Sequence, residues 1–327
     1  MRIYCFDLQD FERPCLKEIQ AGCQDEIIAS TESLNMDTIS QLEDADAVTI
    51  LGYSKLDREL LTALKAKGVT LVSTRTIGFD HIDVAAAKEL GIKVFNAYYQ
   101  PSNVADFTVM MMLIMLRKAK ISVCRALVND FSLDGMKGRE MRSMTVGIIG
   151  TGKIGATVVK DLQGFGCRIL AYSRHENPDL QGLCQYVDLD TIYKECDIIS
   201  LHIPLTDDNY HMIDKTALYK MKKGVILINT ARGQLINTED LIAALEDEQV
   251  GGAGIDTLEE ESGIMHVDIG TRIIDNRSLL YLKQFPNVLY TQHYAFFTEE
   301  AIESMIRCGF ESLQRAAAGE TLVNQVN

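Results

Sequence analysis

The run Thr145-Val-Gly-Ile-Ile149 followed by Gly150-Thr-Gly-Lys-Ile-Gly155 constrains this chain more than any other stretch. A short apolar strand pattern leads into G-x-G-x-x-G, and a helical pattern at 154–165 follows directly. That strand–turn–helix context separates a dinucleotide-binding turn from an ordinary glycine-rich one. Each glycine has its own duty. Gly150 permits the tight turn, Gly152 lets the backbone approach a pyrophosphate, and Gly155 allows helix and strand to pack closely. The helix start adds N–H donors and partial positive charge.

The same alternation extends along the chain. Strands are expected at 3–8, 47–51, 69–73 and 92–95, with helices at 10–21, 57–67 and 83–90, the last stopped by Gly91. A long helical stretch covers 102–128. Its 108–116 part is apolar on nearly every face, which suits a connector that is also an oligomer interface. A second series has strands at 145–149, 168–172, 197–201, 225–229, 253–256 and 288–291. Its helices fall at 154–165, 189–195, 216–221 and 238–247. A final helix, 298–317, starts at the capping residue Thr298. The expected fold class is α/β, with two doubly wound parallel-sheet domains.

Length and charge narrow the function classes. The 327 residues suggest two domains. The 46 acids against 32 bases give a net charge of −14, which opposes a nucleic-acid partner. No apolar run approaches the ~18 residues of a membrane span. The eight cysteines are scattered singly, without a CxxC pair, and read as reduced thiols. The N-terminus passes straight into a strand pattern, so the expected location is cytoplasmic. No two histidines fall at a metal-ligand spacing, and no metal is expected.

Cofactor choice is read at the end of the 168–172 strand. An acid there would bind the ribose 2′-hydroxyl of NAD, but the residues are Ser173-Arg174-His175. Ser173 can hydrogen-bond a 2′-phosphate and Arg174 can neutralise it, so NADP(H) is favoured and NAD(H) is the alternative. Three further segments sit at strand ends of the second series: Ile228-Asn-Thr-Ala-Arg232-Gly, Gly254-Ile-Asp256-Thr-Leu-Glu-Glu-Glu261 and Leu289-Tyr-Thr-Gln-His293-Tyr-Ala-Phe-Phe297. Ligands of open parallel sheets bind at carboxyl strand ends, so these segments are expected to converge.

With Ser73-Thr-Arg-Thr-Ile-Gly-Phe-Asp-His-Ile-Asp83 and Ser200-Leu-His-Ile-Pro204, they make a set that resembles the D-isomer-specific 2-hydroxyacid dehydrogenases. Within that family the set is similar to the D-lactate dehydrogenase branch, which includes enzymes of vancomycin-resistance clusters. The resemblance runs from about residue 73 to the C-terminus. It implies a Rossmann cofactor domain, 99–296, and a smaller flavodoxin-like substrate domain, 1–98 with 297–327, closing on each other by hinges near Tyr99 and Phe296. It also implies a homodimer. The activity implied is NAD(P)H-dependent reduction of a 2-oxo acid, with pyruvate to D-lactate placed first.

Residue by residue, the resemblance makes Arg232, Glu261 and His293 catalytic. Each type suits its task. Arg232 offers a planar, always-charged fork to a carboxylate beside a carbonyl. His293 can give and take a proton near neutral pH. Glu261 can favour the protonated imidazole. Glu259 and Glu260 compete for that place, and only the five-residue separation from Asp256 selects Glu261. The N–H groups of Ile77 and Gly78, the Tyr99 hydroxyl, and the walls Tyr53 and Phe296 are implied for substrate. Lys153, Ile154, Ile203, Pro204, Asn209, Thr230, Ala231 and Asp256 are implied for the cofactor, with Asp256 accepting from the nicotinamide amide. His81 is read as structural, and His202 lies at a strand end without a matching acid. His175, His211 and His266 are read as surface.

The chain departs from the family in having no Trp, in Ser173, and in lacking an aromatic at 258. Rival readings are a related dehydrogenase for larger 2-oxo acids, such as 2-oxoisocaproate or phenylpyruvate, and a dinucleotide-sensing binding protein on the same scaffold.

Overall fold

The computed structural model describes residues 1–261 and 263–327. These divide into two compact units, Met1–Gln100 with Phe297–Asn327, and Pro101–Phe296. The first break therefore falls two residues later than the sequence places it.

The first unit contains β1 (Arg2–Cys5), α1 (Arg13–Gly22), β2 (Glu26–Ala29), β3 (Ala47–Ile50), α2 (Arg58–Ala66), β4 (Leu71–Thr74), α3 (Val84–Glu89) and β5 (Lys93–Asn96). All pairings between these strands are parallel, in the order β2-β1-β3-β4-β5. This is the flavodoxin-like order. β3 and β4 are buried on both faces, so they read as apolar or small-residue runs without alternation. Asp57 and Asp83 cap α2 and α3 by accepting from the backbone N–H groups of Leu60 and Ala86. β2 carries no strand signal in the sequence because its Glu-Ile-Ile-Ala run is only half buried at a sheet edge.

The buried Arg75 of this unit donates to both oxygens of Glu12, at 2.7 and 3.1 Å, and to the Phe6 carbonyl at 3.0 Å. Both side chains are almost wholly inaccessible.

The second unit begins with α4 (Ser102–Leu116) and α5 (Ala119–Leu127). The single helix expected at 102–128 is thus two, because Lys118 adopts a left-handed conformation, φ 51°. Then follow β6 (Thr145–Ile149), α6 (Lys153–Leu162), β7 (Arg168–Tyr172), β8 (Gln185–Tyr186), α7 (Leu189–Glu195), β9 (Ile198–Leu201), α8 (Lys215–Lys220), β10 (Val225–Asn229), α9 (Thr238–Glu246), β11 (Val250–Ile255), α10 (Arg277–Leu282) and β12 (Val288–Tyr290). The seven strands run parallel in the order β12-β11-β10-β9-β6-β7-β8, so the chain switches direction across the sheet at β6 and β9.

β11 starts at Val250, earlier than the sequence suggests. Its glycines hide it, and packing explains them. A Cβ on Gly252 would lie 2.7 Å from the Met115 Cε, and one on Gly254 would lie 3.3 Å from the Met111 Cε. These glycines make room for α4 against the sheet. The last helix of the chain, α11 (Glu299–Ala317), belongs to the first unit and packs on β4 and β5. No helix among the described residues is long and apolar enough to cross a membrane.

Candidate active site

The phosphate loop has the backbone its sequence demands. Gly150 sits at φ +98°, and a Cβ there would lie 2.5 Å from the His202 carbonyl oxygen. A Cβ on Gly155 would fall 1.9 Å from the Gly150 oxygen. Both positions are therefore closed to side chains by the protein itself. Gly152 differs: a Cβ there meets nothing within 4 Å, and its φ of −67° is open to any residue. The fold does not require this glycine, so the empty approach is left for something outside the chain. Gly152 also starts α6 without a side-chain cap, which leaves first-turn N–H groups for an anion. The Tyr186 hydroxyl donates to Thr151 Oγ1 at 3.0 Å and Asn177 donates to the Thr151 carbonyl at 3.2 Å, bracing the loop. These features fit a dinucleotide pyrophosphate.

Lys153 is exposed and Ile154 half-buried on the first turn of α6. Ser173, half-buried, and Arg174, exposed, follow β7; the first acid beyond them is Glu176. After β9, Asn209 closes its own loop, donating to the Pro204 carbonyl at 2.8 Å and accepting from the Thr206 N–H at 2.7 Å. Ile203 and Pro204 lie in that loop. His202 shares a 2.9 Å hydrogen bond with Ser200, and burial pushes its pKa down to about 4.

After β10, buried Asn229 shapes the turn. Its side chain donates to the Arg232 carbonyl at 2.9 Å and accepts from the Ala231 N–H at 3.0 Å. Thr230 shares a hydrogen bond with Thr108 of α4. Gly233 then meets the next segment, where a Cβ would lie 2.1 Å from the Leu258 carbonyl carbon. The Arg232 turn and the 258–261 turn are thus in backbone contact. Arg232 itself is half-buried, and its Nη1 donates to the Ala231 carbonyl at 2.7 Å.

The turn after β11 separates its acids. Asp256, 1% exposed, accepts from the Thr291 hydroxyl at 2.6 Å and from the Tyr294 and Ala295 N–H groups at 3.1 Å. Both its oxygens hold the loop around His293, so a ligand amide would have to use the remaining lone pairs. Glu261 accepts from His293 Nδ1 at 2.6 Å and from the Leu258 N–H at 3.1 Å. With Nδ1–H committed to Glu261, Nε2 is the ring position left for proton transfer. Glu260 is exposed at φ 54°. Burial and the charges of Glu261 and Asp256 raise the Tyr290 pKa, which places both carboxylates near β12.

Two histidines read as surface are engaged. His211 is half-buried and bonded to Glu259 at 2.5 Å. His266 is exposed, but its Nε2 donates to the His293 carbonyl at 2.9 Å, and its ring lies 6.1 Å from that of Phe296. The sequence offered no signal for either contact, because the partners are 48 and 27 positions apart.

The first unit holds the other substrate candidates. The half-buried N–H groups of Ile77 and Gly78 have no acceptor among the described residues. The turn around them is fixed by Thr76 Oγ1 donating to the Gly78 carbonyl at 2.6 Å and by Asn96 donating to the Ile77 carbonyl at 2.8 Å. His81 supports this turn through a 3.1 Å hydrogen bond to Thr74. Two half-buried N–H groups side by side suit a carboxylate. Tyr53 is 41% exposed and Tyr99 half-buried.

Fold and site together define a nucleotide-linked oxidoreductase scaffold, and comparison with known proteins makes the class definite. The model of the D-isomer specific 2-hydroxyacid dehydrogenase NAD binding domain matches residues 109–295, more than half of the chain, and the chain belongs to that family. Its relatives sharpen the picture. It is 43% identical over 282 residues, 86% of this chain and 85% of the other, to an aromatic 2-oxoacid reductase of Clostridium sporogenes. Among solved structures it is similar to a D-lactate dehydrogenase of Treponema pallidum, with a TM-score of 0.89 and 28% identity over all of both chains. The NAD-complexed form of a D-isomer specific 2-hydroxyacid dehydrogenase of Lactobacillus delbrueckii ssp. bulgaricus gives 0.87 and 30%, also over all of both chains.

Proposed function

We propose that this 2-hydroxyacid dehydrogenase reduces pyruvate to D-lactate, with NADPH preferred over NADH. The observation that carries the chemistry is the 2.6 Å contact between Glu261 and His293, on a turn that abuts the Arg232 turn. The cofactor residues would be the phosphate loop Gly150, Gly152, Lys153, Ile154 and Gly155, with Ser173 and Arg174 at the ribose. A bound nicotinamide supplies the hydride for the carbonyl carbon. Arg232 holds the substrate carboxylate and polarises the adjacent carbonyl. His293 keeps a proton on Nε2, gives it to the carbonyl oxygen, and recovers one in the reverse direction. Glu261 fixes the ring by accepting from Nδ1. Ile77 and Gly78 contribute N–H donors to the carboxylate, Tyr99 a hydroxyl, and Tyr53 and Phe296 meet the side chain.

A second reading has its own support: the Clostridium relative acts on aromatic 2-oxo acids at 43% identity, and Tyr53 and Phe296 are aromatic. A kcat/KM matrix of pyruvate, 2-oxobutyrate, a branched 2-oxo acid and phenylpyruvate against NADH and NADPH separates them. Pyruvate turnover lost in Arg232→Ala and His293→Ala is the expected result. A preference for phenylpyruvate moves the substrate, a strong NADH preference removes the Ser173 and Arg174 argument, and no turnover on any 2-oxo acid leaves a dinucleotide-binding protein. We also assign a homodimer. Val123 and Leu127 of α5 are 61% and 80% exposed, and Met110 of α4 is 38% exposed. Light scattering at micromolar concentration tests it.

A further inference from the structure

Glu259 is bound on both oxygens. Oε1 meets His211 Nε2 at 2.5 Å, while Oε2 accepts from the Thr238 N–H at 2.8 Å and the Thr238 hydroxyl at 2.6 Å. The far side of the imidazole is fixed as well. Asn237 spends its oxygen on the Asp240 N–H as the cap of α9, so its NH2 faces His211 Nδ1, at 3.2 Å. His211 Nδ1 is therefore the acceptor and Nε2 the donor to Glu259. This carboxylate is anchored to the start of α9 and to a ring whose tautomer is dictated by a helix cap.

Two residues further on, Glu261 holds His293. The link between them is a short, strained turn. Glu260 is left-handed, a conformation that costs a non-glycine residue on the order of 1 kcal/mol. Asn276 Nδ2 donates to the Glu259 carbonyl at 3.1 Å and to that of Glu260 at 3.4 Å, and Leu258 backs onto Gly233. A turn kept in this shape sends Glu259 to α9 and Glu261 to His293.

We propose that Glu259, with His211, is a positioning pair for the Glu261–His293 contact. It rests on the reading of His293 as the proton carrier. The pair touches neither substrate nor reacting atoms; it sets where the Glu261 carboxylate stands. The groups that face His293 are Glu261 from this turn, His266 at its carbonyl, Asp256 through the Tyr294 and Ala295 N–H groups, and Tyr290 on β12 near Glu261 and Asp256. Arg232 stands on the adjoining turn. Displacing Glu261 removes the carboxylate in direct contact with the ring.

The test compares wild type, His211→Ala, His211→Gln and Glu259→Ala in the full chain. His211→Gln is the conservative variant, since its amide can still donate to Glu259. The readouts are the pH profile of kcat on the best 2-oxo acid, KM, dinucleotide affinity, and the NMR titration of His293. In His211→Ala and Glu259→Ala the His293 midpoint and the alkaline limb of the reduction profile are expected to move down by about one pH unit. kcat is expected to fall about tenfold, with dinucleotide affinity unchanged and most of both effects recovered in His211→Gln. If the alanine variants do not fold, a smaller displacement in His211→Gln alone supports the pairing. An unmoved profile and midpoint in every folded variant overturns it. The titration needs no turnover: a midpoint that moves in a protein inactive on every 2-oxo acid keeps the positioning and removes the proton-carrier reading.

Discussion

Gly152→Ala isolates the open side of the phosphate loop from the packing around it. The added methyl meets no atom of the chain within 4 Å, and the backbone angles, φ −67° and ψ −167°, suit alanine. Two small effects on stability oppose each other. Alanine narrows the unfolded ensemble, a gain of about 0.4–1 kcal/mol, and it is a poorer helix cap than glycine, a loss of about 0.5–1 kcal/mol. Stability should change by less than about 0.5 kcal/mol. Affinity should not be spared. A methyl at the pyrophosphate approach removes one or two hydrogen bonds to a charged group, each worth about 1.5–3 kcal/mol, so Kd for NAD(P)H should rise about ten- to a hundredfold. Gly155→Ala is the control in the opposite sense. Its Cβ would lie 1.9 Å from the Gly150 oxygen, between β6 and α6, and should cost about 3 kcal/mol or more. The assay pairs urea denaturation with a fluorescence titration of the reduced dinucleotide. Wild-type affinity in Gly152→Ala, or a loss of stability matching Gly155→Ala, would refute the assignment of that space to a ligand.

Two further outcomes concern stability. His202 has its pKa pushed from 6.5 to about 4 by burial, so below pH 6.5 the unfolded chain takes up a proton that the folded chain refuses. Its contribution is full above pH 6.5 and lost as pH falls toward 4; at pH 5 the loss is about 2 kcal/mol. Urea denaturation at pH 8 and pH 5 should show that difference in wild type beyond whatever His202→Gln shows; equal pH dependence refutes it. Glu12→Ala leaves the Arg75 charge buried without its carboxylate and should cost about 3–5 kcal/mol by urea denaturation. A cost below about 1 kcal/mol would mean that water or a shifted side chain replaces Glu12.

What the sequence revealed tracks how local each rule is. The phosphate loop was readable because its glycines recur at fixed short spacings directly after a strand pattern, and Gly155 does answer to Gly150 five positions earlier, although Gly150 itself answers to the distant His202 carbonyl. The doubly wound parallel class followed from the regular alternation of strands and helices. What escaped was long-range or weakly patterned. Strand β8 has two residues, too short for any periodicity. The break at Lys118 lies inside a stretch that is helical on both sides. The glycines of β11 are a reply to methionines more than 130 positions earlier in the chain, and without those partners they argue against a strand. His211 was read as surface for the same reason: nothing near it in sequence announces Glu259.

The acidic run at 259–261 shows why charge counted along a sequence misjudges a site. Counted together, three adjacent carboxylates would repel the anionic substrate and dinucleotide of this family. In the fold each goes elsewhere. Glu259 is taken up by His211 and Thr238, Glu260 points to solvent, and Glu261 is taken up by His293 and the Leu258 N–H. The donors that the proposed function assigns to anions are of another kind: N–H groups at the start of α6 and at Ile77 and Gly78, together with the Arg232 guanidinium. A net charge of −14 sets the long-range field, which falls off within about 10 Å at ordinary ionic strength. Fixed donors act at contact distance, where that field is a small correction. The overall acidity therefore argues against a polyanion, which must meet the surface at large, and leaves the affinity for a small anion to the few groups that touch it.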